Sequence, residues 1–237
     1  NVQSSPHVRD CISTRAIMLD VIVALLPTTI WGIIINSNKI HVILIVLLSV
    51  IAAIVSETIF NVIVKKENTV GDLSCVVTGL ILALNMPPEI PLFVPIVGSV
   101  FAIVIAKMIF GGLGQNFMNP ALAGRCFLLI SFTKLMTDFS STPLKDFANK
   151  LAIDATSSAT PLNVMQKGLG NPHLLDVFFG FVPGAIGEIS TICLLLGAIY
   201  LLVKKVISIQ IPLIYILSFV IFMMIFSGKA TDVNYIL

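Results

Sequence analysis

Residues 41–64 read HVILIVLLSVIAAIVSETIFNVIV, twenty-four positions that carry one carboxylate, Glu57, and neither lysine nor arginine. An α-helix crossing the hydrocarbon core of a bilayer needs about 20 such residues. A run of this length restricts the chain to a membrane solution, in which backbone polar groups are satisfied inside helices. The pattern recurs at 16–35, 92–110, 119–136, 185–203 and 209–227. Between 41–64 and 92–110 lies GDLSCVVTGLILALNMPPEIP, about a dozen apolar residues stopped by Pro87, Pro88 and Pro91. That is too short for a straight span and predicts a broken or re-entrant helix packed inside the protein. Pro120 falls in the first turn of its run, where a missing N–H costs nothing. Only 11% of the 237 residues are charged, against about 25% in a soluble domain. The expected fold class is an all-α polytopic membrane protein.

Charge sets the expected orientation. Arg9 and Arg15 precede the first run, Lys65 and Lys66 follow the second, and Lys204 and Lys205 follow the sixth. Basic residues in short loops mark the cytoplasmic side. If every segment crosses, including the short one, these residues share a side and the N-terminus is cytoplasmic. The polar interval 137–183 then lies on the outer face. The polar opening, residues 1–16, leads into the first run with no small-residue cleavage pattern, which reads as an uncleaved first span. Because the chain opens at Asn1, a short preceding piece is expected. A net charge of +2, scattered along the chain, is no nucleic-acid footprint. Cys11, Cys75, Cys126 and Cys193 form no CxxC or other metal-type spacing, so an iron–sulfur cluster would belong to a partner.

A weak internal echo divides the chain. Two long runs followed by GDLSCVV resemble two long runs followed by TDVNYIL, which aligns Asp72 with Asp232. With five crossings between them the copies would be inverted, as in many transporter-like folds. The expected organisation is a five-helix repeat over 1–136, an outer polar segment over 137–183, and the start of a second, incomplete repeat over 184–237.

Two motifs carry a resemblance. GGLGQNFMNPALAGRCFL (111–128) together with DATSSATPL (154–162) resembles the RnfD/NqrB family, membrane subunits of the Rnf and sodium-pumping Nqr respiratory complexes. The family pattern Asp-Gly-x-Ser-Gly-Ala-Thr-x-Leu matches at Asp154, Ser157, Ala159, Thr160 and Leu162, and departs at Ala155 and Ser158. The resemblance implies a bundle of 5+5 helices in inverted halves, of which the C-terminal spans are absent here. It implies that Thr160 carries covalent FMN through a phosphoester, placed there by a separate flavin transferase outside the cytoplasm. Ser157 and Ser158 would offer hydroxyl donors beside that phosphate, although backbone N–H groups serve equally. It also implies a second, noncovalent flavin, riboflavin.

The GGLGQN stretch is neither a dinucleotide fingerprint nor a P-loop. Asn116 and Asn119 either satisfy backbone groups at helix ends or, with Arg125, line the noncovalent flavin. Among ionisable residues within spans, Asp20 and Glu188 read as interfacial. Glu57 reads either as a structural hydrogen-bonding group or as part of ion coupling.

The function implied is electron relay in an ion-translocating ferredoxin:NAD⁺ oxidoreductase of a bacterial cell membrane. Iron–sulfur and flavin subunits would carry the chemistry at ferredoxin and NAD⁺, the coupling ion would be Na⁺ or H⁺, and this chain would hold no catalytic or metal site. About fifteen residues precede the first span, fewer than in NqrB, which favours RnfD over an NqrB-like component of a quinone reductase. A channel or solute transporter with inverted repeats, and a passive scaffold for redox subunits, are the rival classes.

Overall fold

The computed structural model describes residues 13–36, 38–65, 69–139, 178–179 and 184–226, and every regular element among them is helical. Helix α1 (Thr14–Ile35) starts at Ser13, whose hydroxyl accepts from the Ala16 N–H. It carries Pro27 internally, and the hydroxyls of Thr28 and Thr29 both donate to the Leu25 carbonyl at 2.8 Å. Buried threonines of this kind satisfy themselves against the preceding turn. Helix α2 (Lys39–Val64) runs unbroken to Lys65, which ends it in the left-handed conformation. Both helices are long and apolar enough to cross a membrane. Their outward faces expose Ile30, Ile34, Leu47, Ile51 and Ile59, a row that only lipid or protein covers well.

A 3₁₀ turn (Val70–Asp72) leads into α3 (Ser74–Leu84), the short broken helix expected from the prolines. Eleven residues rise about 16 Å, half the hydrocarbon core, and nine of them are buried. Gly79 lets α3 lie directly on α2: a Cβ there would stand 2.9 Å from Val50 Cα and 3.0 Å from the Ser49 carbonyl oxygen. The hydroxyl of Ser49 donates to the Gly79 carbonyl at 2.7 Å and shares a hydrogen bond with Ser99 at 2.9 Å. Small residues allow such close approach between membrane helices.

The C-terminal carbonyls of a half-helix have no intrahelical partner. Here the Asn85 and Met86 N–H groups take the carbonyls of Ile81, Leu82 and Ala83, and the last one finds its partner far along the chain. The Gly187 N–H donates to the Leu84 carbonyl at 2.8 Å, and the Ile186 N–H to the Met86 carbonyl at 3.0 Å. Ile186 enters the same core as Val42, Ile45, Leu82, Met86 and Leu128.

Helix α4 (Phe93–Val100) continues as a π-helical stretch (Phe101–Met108), followed by the glycine turn. Helix α5 (Pro120–Ser131) has Pro120 in its first turn, as expected. The run at 119–136 nevertheless breaks at Phe132, and α6 (Thr133–Met136) is one turn long. Phe132 leaves helical geometry and sets its ring edge-on to Phe93 at 5.8 Å. The expected span 185–203 also shortens. Helix α7 spans Thr191–Val203, and Ala185, Ile186, Ile189 and Ser190 are buried ahead of it in non-helical backbone. Ser190 caps α7, and Gly187 sits so close to α3 that a Cβ there would stand 2.7 Å from Leu84 Cβ. Helix α8 (Gln210–Phe226) closes the described chain. Helices α1 and α7 pack together, and the Tyr200 hydroxyl donates to Asp20 at 2.8 Å with Lys204 3.6 Å away. Asp20 is thus half-buried and partnered across this seam.

Candidate functional site

Glu57 is the one carboxylate in the apolar run of α2, and it is fully buried. A charge in that position requires a partner. The partner is Lys107, 1% exposed, on the π-helical stretch. Its ammonium donates to Glu57 Oε2 at 2.5 Å and to Ser74 Oγ at 2.6 Å. Thr69 Oγ1 donates to Glu57 Oε1 at 2.6 Å, and Asn61 Nδ2 donates to Thr69 Oγ1 at 3.2 Å. Ser74 in turn donates its hydroxyl (2.6 Å) and its N–H (2.8 Å) to Asp72 Oδ1. Asn61 Oδ1 is buried and accepts no hydrogen bond.

Each element presents its residue for a local reason. Glu57 and Asn61 are four apart on α2, hence on one face. The 3₁₀ turn and the left-handed Leu73 swing the chain so that α3 starts with Ser74 beside them. The π-helical stretch makes i to i+5 bonds: the Ile109 N–H donates to the Val104 carbonyl and the Gly112 N–H to the Lys107 carbonyl. Such wider turns are rare and recur at functional sites. Removing an ion pair's partner from low dielectric leaves an uncompensated charge, so the pair is strongly held as a pair.

Lys107 was missed as an intramembrane ionisable residue by sequence reasoning that singled out Asp20, Glu57, Glu188 and Arg125. It is the one lysine in the apolar run 92–110, and that position was the available signal.

The glycine turn follows directly. Gly111, Gly112 and Gly114 all have positive φ, between 86° and 117°, a region that L side chains rarely adopt. With its amide oriented so that nitrogen faces the two carbonyls, Asn116 donates to Lys107 and Gly112, each at 3.1 Å. Asn119 caps α5, accepting from the Ala121 N–H at 3.0 Å. Arg125 lies half-buried on α5 and donates from Nη1 to Asn85 Oδ1 at 2.8 Å, while Asn85 donates to the Ile81 carbonyl. Asn116 therefore binds backbone at the glycine turn and Asn119 the first turn of α5, whereas Arg125 reaches across to the broken end of α3. Glu188 is exposed. Asp154, Ser157, Ser158, Ala159 and Thr160 lie outside the described residues.

The family model described as NQR2, RnfD, RnfE matches residues 1–237. The chain is 44% identical over 226 residues to the D component of the Na(+)-translocating ferredoxin:NAD(+) oxidoreductase complex of Acetobacterium woodii, covering 93% of this chain and 68% of that protein. It is 38% identical over 226 residues to the D component of the proton-translocating ferredoxin:NAD(+) oxidoreductase complex of Clostridium ljungdahlii, covering 91% and 66%. With the B component of the Na(+)-translocating NADH-quinone reductase of Klebsiella pneumoniae it shares 34% identity over 189 residues, 75% of this chain and 43% of that protein. The chain spans about two thirds of the length of the two ferredoxin:NAD(+) oxidoreductase relatives.

Proposed function

The chain belongs to the NQR2, RnfD, RnfE family, and from that premise we propose that it is the flavin-carrying, RnfD-type membrane component of an ion-translocating ferredoxin:NAD⁺ oxidoreductase. The motif DATSSATPL carries this reading, because it supplies an acceptor hydroxyl in the sequence context of the family's flavin attachment site. Thr160 holds FMN through a phosphoester formed by its side-chain oxygen, with Asp154, Ser157, Ser158 and Ala159 shaping the site for the transferase. When bound, the flavin supplies the redox chemistry, and the protein sets its position and environment. Oxidation of ferredoxin and reduction of NAD⁺ take place on iron–sulfur and flavin partner subunits.

A second, noncovalent flavin, riboflavin, lies by the glycine turn. Asn116 and Asn119 hold the turn's shape there, and Arg125 brings a cation that favours an electron-rich ring. The paired lysines at 65–66 and 204–205 support a cytoplasmic N-terminus and an outer flavin motif. Glu57 takes part in coupling to the translocated ion, supported by its burial in a polar cluster within otherwise apolar helices. The higher identity and coverage with the ferredoxin:NAD(+) oxidoreductase relatives favour this reading over a quinone reductase component.

The test is mass spectrometry of the peptide spanning 151–167, with in-gel flavin fluorescence of Thr160→Val after denaturation. The native peptide should carry the mass of FMN, and the variant band should be dark while the protein still accumulates. A fluorescent variant band would reject Thr160. A channel or solute carrier would show no covalent flavin in the native protein.

A further inference from the structure

We propose that Lys107 is a tethered stand-in for the coupling cation. Its ammonium fills a site for a Na⁺-sized monovalent ion built from Glu57, Asn61, Thr69 and Ser74, and ion and ammonium exclude one another there. The inference rests on the coupling role proposed for Glu57 and names what that residue holds.

The donor set argues for a hard cation. Both Glu57 oxygens and the hydroxyls of Thr69 and Ser74 meet here from α2, the segment entering the 3₁₀ turn and the start of α3, with the Asn61 amide joined to Thr69 through its nitrogen. Oxygen donors of this kind suit hard ions, and a hydroxyl that donates one hydrogen bond keeps a lone pair free. The second observation is Asn61 itself. The residue is 2% exposed, anchored by its nitrogen to Thr69, and its oxygen accepts from nothing. Buried acceptors are rarely left unpaired, and rotation of this amide would turn its oxygen toward an ion bound beside Thr69.

Charge selects the valence. The pocket contains one fully buried carboxylate, and the ammonium of Lys107 now balances it. Asp72 stands outside, half-buried, with one oxygen taken by the Ser74 N–H and hydroxyl. One positive charge can therefore replace another without changing the balance, whereas a divalent ion would leave an excess. Lysine is suited to leaving, because its ammonium rides on a flexible four-carbon stem. Its helix is held by i to i+5 bonds, a geometry that recurs at functional sites.

The test uses the whole complex purified in detergent, with thermal denaturation followed in NaCl against choline chloride at equal ionic strength. Lys107→Gln should become several degrees more stable as Na⁺ rises, saturably. The wild type, Lys107→Arg and the double variant Glu57→Gln/Lys107→Gln should respond far less. In wild-type complex, Na⁺ but not choline should raise the rate at which a small amine-reactive electrophile modifies Lys107. The proposal is overturned if Lys107→Gln treats the two salts alike or is stabilised only by added protons. It is equally overturned if that variant fails to accumulate in Na⁺-rich medium while the double variant does. Should neither variant accumulate, the wild-type labelling decides, and a rate indifferent to Na⁺ rejects the idea. In-gel flavin fluorescence on the same samples separates the two readings. Loss of covalent flavin from native protein counts against the proposed function, whereas a missing Na⁺ response with flavin in place counts against Lys107 alone.

Discussion

Substituting Gly79 by alanine tests whether the contact between α2 and α3 is as close as it looks. Two effects oppose each other. Alanine is the better helix former by about 1 kcal/mol in a helix interior. Against this, the new methyl would stand 2.9 Å from Val50 Cα, 3.0 Å from the Ser49 carbonyl oxygen and 3.2 Å from Ala53 Cβ. Two of these three atoms are backbone and cannot swing aside, so the helices themselves must part. Overpacking of this kind costs typically about 1–3 kcal/mol. Parting also strains the 2.7 Å bond from Ser49 to the Gly79 carbonyl, worth about 1 kcal/mol. The clash wins, and the net loss is about 1–3 kcal/mol. For a chain of this size that lowers the melting temperature by roughly 2–12 °C. Thermal denaturation of the detergent-purified protein measures it, with Gly71→Ala as control, since nothing lies within 4 Å of a Cβ at Gly71. Ala53→Gly should not rescue, because it removes one contact and leaves the backbone pair. A Gly79→Ala protein as stable as the Gly71→Ala control would refute the close packing and the argument built on it.

Arg125→Leu should release riboflavin while Thr160-bound flavin is retained; riboflavin that stays stoichiometric would confine Arg125 to tying α5 to Asn85. Asn119→Ala should destabilise the protein by about 1 kcal/mol through loss of the α5 cap, read as a lower melting temperature, and an unchanged value would deny the cap. A single cysteine at Lys150, with the native cysteines removed, should react with an impermeant reagent in intact cells; labelling only after lysis would invert the orientation.

What could be read in advance depended on how local the cause was. The broken helix α3 was legible because Pro87, Pro88 and Pro91 stop it and the apolar stretch before them is short. The start of α5 was legible from Asn119 and Pro120. The break at Phe132 was not, since the ring that Phe132 meets there is on α4, far away in the sequence. The entry of 184–190 into the core was equally hidden. An apolar stretch preceding a helix looks like more helix until its N–H groups are seen bonding to the end of α3. The π-helical stretch has no local marker, although Lys107 was itself open to view as the one lysine in its apolar run. Glu57 was visible as an anomaly in its run, but its partner sits fifty residues away. The flavin motif was legible through resemblance alone, and it falls outside the described residues.

The bonds from Ile186 and Gly187 to the carbonyls of Met86 and Leu84 also impose an order in time. Ribosomes extend a chain at about 5–20 residues per second, and the donors follow their acceptors by roughly a hundred positions. For some seconds, therefore, each newborn molecule has two carbonyls, those of Leu84 and Met86, without their final partners, and hydrocarbon would offer them none. The first half of the protein therefore cannot complete its own hydrogen bonding during synthesis. Water, the translocation machinery or a neighbouring chain must hold those carbonyls until the later segment arrives.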